Sequence, residues 1–193
     1  MIIYGKQLIL HLLKSYPKRI ETIFLAKECE PKLFTQMARV TDKICRIDEK
    51  KAQALSRGGN HQGFIAQIKD VELTSFNEIK KGSFLVVLDE VTDVGNIGAI
   101  VRSAYAFGAD GLILSGVKTC NLEAILRTSS AAAFELPIAV CASTKDMMNE
   151  LKQIGFSLYG ADMGGVDVKE VTFAPKRVLM MGSEGKGLSP KVK

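Results

Sequence analysis

A run of consecutive apolar residues, Phe84 to Leu88, most constrains how this chain can fold. An uninterrupted apolar strand is buried on both faces, which is typical of a central strand in a parallel sheet covered by helices. The chain then turns at residues 93–96, and apolar residues recur at helical spacing over 97–107. Gly108 is a suitable helix stop, and residues 111–114 predict the next strand. This stretch therefore predicts a β-α-β unit.

More strands and helices of the same kind follow along the chain. The predicted strands are Ile138–Cys141, Phe156–Ala161 and Arg177–Met181, and the predicted helices are Leu122–Thr128 and Lys145–Ile154. Strands that alternate with helices favour an open parallel sheet with helices on its faces. Ligands bind such sheets beyond the carboxyl ends of the strands. This rule points to three loops, at residues 89–98, 160–165 and 182–190.

The last of these loops contains Gly182, Gly185 and Gly187, and glycines let backbone amides approach a ligand closely. A nucleoside-triphosphate loop would need lysine where Leu188 stands, so that class is excluded. The dinucleotide pattern G-x-G-x-x-G follows neither the strand at 84–88 nor the last strand, which disfavours NAD. Spacing alone leaves two alternatives, which are a cradle for a small molecule or phosphate and a simple glycine-rich turn.

The first part of the chain alternates between helix and strand on a smaller scale. Helices are predicted at 4–16, 31–40 and 49–56, and strands at 20–26, 43–47 and 64–68. We expect a compact α/β domain over residues 1–70. The polar stretch at 71–82 ends in Lys-Lys-Gly and predicts a linker, which leaves 83–193 as a second domain.

The charges divide unevenly between these two parts. Residues 1–80 hold 14 Lys and Arg against 9 Asp and Glu, whereas residues 81–193 hold 12 of each. The whole net charge of +5 therefore lies in the first part. A basic domain beside a neutral one favours a polyanion-binding module, although a solvated basic surface with no partner gives the same count.

Cysteine and histidine usage bounds the chemistry. The four cysteines form no C-x-x-C pair, which predicts reduced thiols in a cytoplasmic protein. His11 and His61 are the only histidines, so no metal site is expected. No apolar stretch approaches the roughly 18 residues of a membrane span, and no membrane partner is expected.

Several stretches resemble the SpoU (TrmH) family of the SPOUT superfamily. Residues 96–102 (NIGAIVR) closely resemble its first motif, and residues 179–188 (LMMGSEGKGL) resemble its second. Residues 129–137 (SSAAAFELP) resemble its serine- and alanine-rich turn. Residues 61–63 (HQG) and 4–6 (YGK) are similar to the ends of its ribosomal-protein-like substrate-binding domain. The resemblance covers nearly the whole chain, in order.

This resemblance implies methylation of ribose 2′-hydroxyls in RNA with S-adenosylmethionine as the cofactor. It implies an α/β catalytic domain with a deep trefoil knot, acting as a homodimer. The amino-terminal domain makes the chain more similar to the family's ribosomal RNA guanosine methylases than to its minimal transfer RNA enzymes. The family's third motif is expected some tens of residues after Ser189, beyond Lys193, and would complete the cofactor pocket, the knot and the dimer interface.

The resemblance also implies roles for particular residues. Arg102 is the expected catalytic arginine, with Asn96 and Glu184 beside it. The cofactor would lie against Met181, Gly182 and Gly185, with Gly160 and Ala161 forming the opposite wall.

The chemistry of the reaction limits what these side chains can do. Methyl transfer from a sulfonium needs orientation of the attacking oxygen and removal of its proton, without a metal. A guanidinium has a pKa above about 12, which argues against an ordinary base. We therefore expect Arg102 to hold a substrate phosphate and polarise the 2′-hydroxyl. Asn96 is also a candidate N-cap, and Glu184 could pair with Arg102 or contact the substrate.

Three alternatives remain open from the sequence. The substrate could be transfer RNA, the chain could be an inactive RNA-binding relative, or it could be a metabolite enzyme with a similar sheet. The basic first part opposes the metabolite enzyme, and the intact Asn96, Arg102 and Glu184 oppose the inactive relative.

Overall fold

The computed structural model describes residues 1–192, and Lys193 lies outside the described residues. Contacts along the chain divide it into two compact units, Met1–Glu72 and Leu73–Lys193. Both units combine strands with helices, so the predicted α/β class is confirmed. Within residues 1–192, no helix is both long enough and apolar enough to cross a membrane.

The first unit is a small mixed sheet with helices. Its elements are β1 (Ile2–Tyr4), α1 (Lys6–Ser15), β2 (Ile20–Leu25), α2 (Pro31–Ala38), β3 (Ile44–Arg46), α3 (Glu49–Ser56) and β4 (Phe64–Ile68). The strand order is β1-β4-β2-β3. β4 is antiparallel to both β1 and β2, whereas β3 is parallel to β2. The sequence did not predict β1, because a three-residue strand shows no usable alternation.

Two short segments at opposite ends of this unit meet in space. The carbonyl oxygen of the Gln62 side chain accepts a hydrogen bond from the backbone N–H of Lys6 at 3.0 Å, at the first turn of α1. His61 is 3% exposed, and its Nδ1 accepts the N–H of Gly63 at 3.0 Å. The N–H of Gly5 donates to the carbonyl of Phe64. The two ends of the predicted substrate-binding domain therefore hold each other in place.

The second unit is built on a five-stranded parallel sheet. Its elements are α4 (Phe76–Ile79), β5 (Phe84–Asp89), α5 (Val94–Ala106), β6 (Gly111–Ser115), α6 (Leu122–Thr128), β7 (Ile138–Cys141), α7 (Thr144–Gln153), β8 (Ser157–Gly160) and β9 (Arg177–Gly182). The strand order is β7-β6-β5-β9-β8, and every neighbouring pair is parallel. The predicted strands and helices are present: α6 and β7 have the predicted bounds, and the ends of the others differ by at most three residues.

Each face of this sheet is covered, which explains why the central strands are apolar throughout. One face packs against α4 and α7 in a single buried cluster that includes Leu85, Val178, Met147 and Leu151. The chain moves in one direction across the sheet from β5 through α5 to β6 and then through α6 to β7. It moves in the opposite direction from β7 through α7 to β8. Because such parallel crossovers are right-handed, α5 and α6 lie on the other face.

The predicted linker at 71–82 contains helix α4. Ile79 is 4% exposed and belongs to the buried cluster of the second unit. The N–H of Thr74 donates to the carbonyl of Ile138 at 2.8 Å, so the chain joins the second unit soon after Glu72. A single helical turn is too short to show apolar periodicity, which is why the polar composition of this stretch suggested a linker instead.

The start of β5 is held by Asp110, which lies just before β6. Its Oδ2 accepts the backbone N–H groups of Ser83 at 2.7 Å and Phe84 at 2.8 Å. The hydrogen bond from Phe84, followed by those from Ser83, lowers the pKa of Asp110 from its ordinary 3.8. One carboxylate therefore ties the amino ends of the two central strands together.

Candidate active site

The candidate site lies where β5 and β9 end side by side. Asp89 is the register partner of Gly182 in these parallel strands. The loop after β5 leads into α5 on one face of the sheet, whereas the loop after β9 returns to the other face, where Leu188 packs in the cluster of α4 and α7. Loops that follow two such strands diverge and leave a crevice at their carboxyl ends. The first and last of the three loops singled out in the sequence therefore meet at this edge.

A depression of about 300 Å³ opens at this crevice. The residues that line it are Val91, Asn96, Ala99, Ile100, Gly182 and Glu184. They come from the loop after β5, the first turns of α5, and the end of β9 with its following loop. Residues of the first motif-like stretch and of the second thus form one surface.

Asn96 lies in the first turn of α5 and does not cap it. The helix begins at Val94, and the carboxylate of Asp93 caps it by accepting the N–H of Asn96 at 2.7 Å. The expectation that Asn96 is the N-cap was wrong, because the helix begins two residues before Asn96 and Asp93 is its cap. The side chain of Asn96 is thereby left to point across the crevice, where its Nδ2 donates to Glu184 Oε2 at 3.4 Å.

Arg102 lies further along α5 and is exposed. Within residues 1–192, its guanidinium forms no salt bridge or hydrogen bond. The expected option of an Arg102–Glu184 pair is therefore not formed, and Glu184 contacts Asn96 instead. Arg102 also lies outside the residues that line the depression. Its five N–H donors remain available to a binding partner.

The loop after β9 folds back on the end of its own strand. Gly187, at φ +66°, donates its N–H to the carbonyl of Ser183 at 2.8 Å. A Cβ on Gly182 would lie 1.9 Å from the carbonyl carbon of Gly187, so only glycine permits this close return. Leu188, 5% exposed, then packs into the cluster shared with α7. The glycine-rich loop is therefore an ordered turn with a buried end.

The other predicted cofactor residues surround this turn without lining the depression. Leu188 Cδ1 would lie 2.9 Å from a Cβ on Gly160, so the end of β8 approaches the same loop. Ala161 donates its N–H to the carbonyl of Met180 at 2.8 Å and is exposed. Met181 is half-buried, and a Cβ on Gly185 would meet no atom within 4 Å. Gly182 is thus the one predicted cofactor residue that borders the depression directly.

Helix α5 is held against α6 by a glycine contact. A Cβ on Gly98 would lie 2.1 Å from Thr128 Oγ1 and 2.6 Å from the Thr128 backbone carbon. The Thr128 hydroxyl donates to the carbonyl of Val94 at 2.7 Å. The close approach of the two helices fixes the first turn of α5, and with it the position of Asn96.

Sequence reasoning missed Asp89, the last residue of β5. It is 1% exposed, and its Oδ2 accepts the N–H of Ser189 at 2.8 Å. Its Oδ1 accepts the hydroxyls of Thr144 at 3.2 Å and Ser115 at 3.4 Å. The available signal was a carboxylate placed directly after an apolar strand, where burial has a cost unless the group is hydrogen-bonded.

Two cysteine thiols in this unit are unsuited to nucleophilic chemistry. Burial raises the pKa of Cys120, and burial together with Glu150 raises the pKa of Cys141. A thiol with a raised pKa holds little thiolate near neutral pH. The polar groups of the crevice, rather than a cysteine, are therefore the candidates for chemistry.

Fold and site together define a class: an α/β protein with a polar crevice at the carboxyl ends of two neighbouring parallel strands, joined to a separate basic unit. Comparison with known families narrows this class. Residues 83–193 match the SpoU rRNA Methylase family, and residues 2–74 match the family described as RNA 2′-O ribose methyltransferase substrate binding. The chain therefore belongs to the SpoU family of RNA 2′-O-ribose methyltransferases.

Individual relatives agree with this assignment. An uncharacterized tRNA/rRNA methyltransferase of Archaeoglobus fulgidus is 30% identical over 91% of this chain and 77% of its own length. The 23S rRNA (guanosine-2′-O-)-methyltransferase RlmB of Pseudomonas putida is 27% identical over 96% of this chain and 80% of its own. The crystal structure of an AdoMet-bound rRNA methyltransferase from Sinorhizobium meliloti superposes with a TM-score of 0.72 at 26% identity, covering 97% of this chain and 72% of that one.

The helix contact at Gly98 gives a first prediction. Gly98→Ala should destabilise the protein by about 1–3 kcal/mol, because the new methyl group must displace Thr128 and its backbone. Gly95→Ala is the matched control in the same helix. Its Cβ would meet only Asp93 Oδ1, at 3.1 Å, and alanine favours the helix. Thermal unfolding would measure both, and equal stability of the two variants would contradict the packing argument.

Proposed function

We propose that this protein transfers a methyl group from S-adenosylmethionine to a ribose 2′-hydroxyl in RNA. The observation that carries the proposal is the contact between Asn96 and Glu184 at the carboxyl ends of β5 and β9. It joins the two motif-like stretches in one depression that Gly182 also borders. A single crevice thus holds polar side chains for a substrate beside the glycine that ends β9.

The residues around the β9 turn fit a nucleoside cofactor. A Cβ on Gly182 would meet the backbone of Gly187 and a Cβ on Gly160 would meet Leu188, so the close packing of this turn requires glycine at both positions. Exposed backbone at Gly185 and Ala161 offers further hydrogen-bonding groups. We assign cofactor binding to Gly160, Ala161, Met181, Gly182 and Gly185. When bound, the cofactor supplies an electrophilic methyl group on a sulfonium, and the relative from Sinorhizobium meliloti holds this cofactor.

The catalytic roles fall to Arg102, Asn96 and Glu184. Arg102 is exposed and unpaired within residues 1–192, so its guanidinium is available to grip a phosphate bidentately and to polarise the neighbouring 2′-hydroxyl. A guanidinium stays protonated and does not accept the hydroxyl proton, which would pass to water late, as the methyl group leaves the sulfonium for the oxygen. Asn96, positioned by its contact with Glu184, orients the ribose for in-line attack.

We assign RNA binding to the basic first unit. Between α1 and α2 lies a groove of about 430 Å³, and Lys14 and Arg39 stand at one end of it. A contiguous hollow of about 230 Å³ continues past Leu10 to Lys6 and Lys32. Four cations therefore frame one surface, with Glu30 as the one acidic residue that lines it. Such an arrangement complements a sugar-phosphate backbone.

Large-subunit ribosomal RNA is our proposed substrate, with a guanosine as the target and a homodimer as the working form. The relative from Pseudomonas putida acts on a guanosine of 23S rRNA and shares both units of this chain. Transfer RNA is the alternative, because other relatives carry the joint tRNA/rRNA description.

Methyl transfer from labelled cofactor to separate pools of ribosomal and transfer RNA would test the substrate. We expect label in large-subunit ribosomal RNA, with the modified guanosine resistant to alkaline hydrolysis at its 3′ side, because a blocked 2′-hydroxyl cannot attack the phosphate. Label confined to transfer RNA would select the alternative. Cofactor binding without transfer to either pool would reject the activity.

Arg102→Ala should lower methyl transfer by at least about a hundredfold and leave cofactor affinity unchanged, since the guanidinium acts on the substrate rather than on the cofactor. Single-turnover kinetics and calorimetry would measure the two quantities separately. Lys145→Ala, an exposed cation on α7, is the matched control and should change neither. Turnover of Arg102→Ala comparable to that of the parent would contradict the assignment.

The proposed RNA-binding surface can be tested by removing two of its cations together. Lys14→Ala with Arg39→Ala should weaken RNA binding and reduce the slope of log affinity against log salt by about two. The reason is that binding releases about one counterion fewer for each phosphate contact that is lost. Lys50→Ala with Lys51→Ala, on α3, removes the same charge outside the groove. Equal losses in the two double variants would show that binding depends on net charge and not on the groove.

A further inference from the structure

Asp89 is a buried carboxylate, and packing of the hydrophobic core does not explain why a charged residue lies there. It is 1% exposed, and within residues 1–192 no salt bridge compensates its charge. Three hydrogen bonds satisfy it instead, from Ser115, Thr144 and the backbone of Ser189. An aliphatic side chain at this position would avoid the cost of burying a charge. A role of Asp89 is therefore to be sought in the groups that its carboxylate binds.

Two of the three donors belong to the rigid sheet and helix layer. Ser115 ends β6, and Thr144 begins α7; both are buried. They fix Oδ1 from two neighbouring elements, at 3.4 and 3.2 Å. The other oxygen, Oδ2, is thereby aimed along the carboxyl edge of the sheet, where it receives the N–H of Ser189 at 2.8 Å.

Ser189 closes the glycine-rich turn that begins at Gly182. Because Gly182 pairs with Asp89 in the sheet, the carboxylate contacts the far end of the same turn whose near end lies beside it. The residue that follows β5 is Glu90, whose Oε1 lies 3.9 Å from the Nζ of Lys191, although that exposed pair adds little stability. The end of β5 thus contacts the far end of the glycine-rich turn and holds it in place.

We propose that Asp89 is a positioning residue that presents the backbone of residues 182–188 to the adenosine part of the cofactor. This inference rests on the proposed function of the crevice. Asp89 itself touches no substrate or reacting atom. Its hydrogen bond to Ser189 sets the shape of the turn before ligand arrives, so that binding does not have to order a glycine-rich segment.

Replacing Asp89 tests this role directly. Asp89→Ala should weaken binding of S-adenosylmethionine by about ten- to a hundredfold, the range expected for loss of a hydrogen bond to a charged group. Asp89→Asn should bind within about threefold of the parent, because its amide oxygen can accept from Ser189 while both hydroxyls rotate to accept from its NH₂. The demethylated product should lose affinity by the same factor, since it shares the adenosine.

A matched variant separates positioning from general stability. Asp110→Ala truncates the carboxylate that ties the opposite end of β5. It should lower the melting temperature and leave cofactor affinity unchanged. Amide exchange without ligand supplies an independent readout: Asp89→Ala alone should speed exchange at Gly187 and Ser189.

The outcomes distinguish this inference from the proposed function. A parent protein that binds neither ligand would refute both. A parent that binds, with unchanged affinity and exchange in Asp89→Ala, would refute only the role of Asp89. Loss of affinity for S-adenosylmethionine but not for its demethylated product would point to charge attraction and overturn the positioning role. Equal loss in Asp110→Ala would reduce Asp89 to a stabilising core residue.

Discussion

The parallel pairing of β5 with β9 is the constraint on which the site depends. It places Asp89 beside Gly182, and so brings the loop that leads into α5 next to the turn that follows β9. The Asn96–Glu184 contact joins residues 88 positions apart and exists only because of that register. A shift of this pairing by one residue would turn Asp89 toward the opposite face of the sheet and away from Ser189.

Close approach of backbones is the second requirement, and particular glycines meet it. Gly98 lets α5 contact α6, and Gly182 lets the following turn return over the strand. The backbone has no positive φ at either glycine, so conformational freedom is not the reason for glycine at these two positions. In both cases the absent side chain makes room for a neighbour, which differs from the use of glycine at Gly187, where φ is +66°. The residues of the SpoU motifs are therefore needed for packing as well as for chemistry.

The sequence predicted most elements, and the two that it missed, β1 and α4, are among the shortest. β5, α5 and β6 followed from apolar runs and helical spacing, whereas β1 and α4 span too few residues to show a period. Asn96 and Glu184 came from resemblance, but their contact with each other did not, because it needs the strand order. Asp89 was missed for the same reason: its partners at Ser115, Thr144 and Ser189 come from three separate elements.

The strand order also bears on how the site forms during folding. β5 and β6 are neighbours in sequence and can pair early, but β9 must return from about 90 residues away to complete the other side of β5. Closing so long a loop is slow, because its entropy is lost before the contacts compensate. Until β9 arrives, β5 is an apolar edge strand open to pairing with other chains. The crevice is therefore among the last features to appear, and its assembly coincides with removal of the most aggregation-prone edge of the domain.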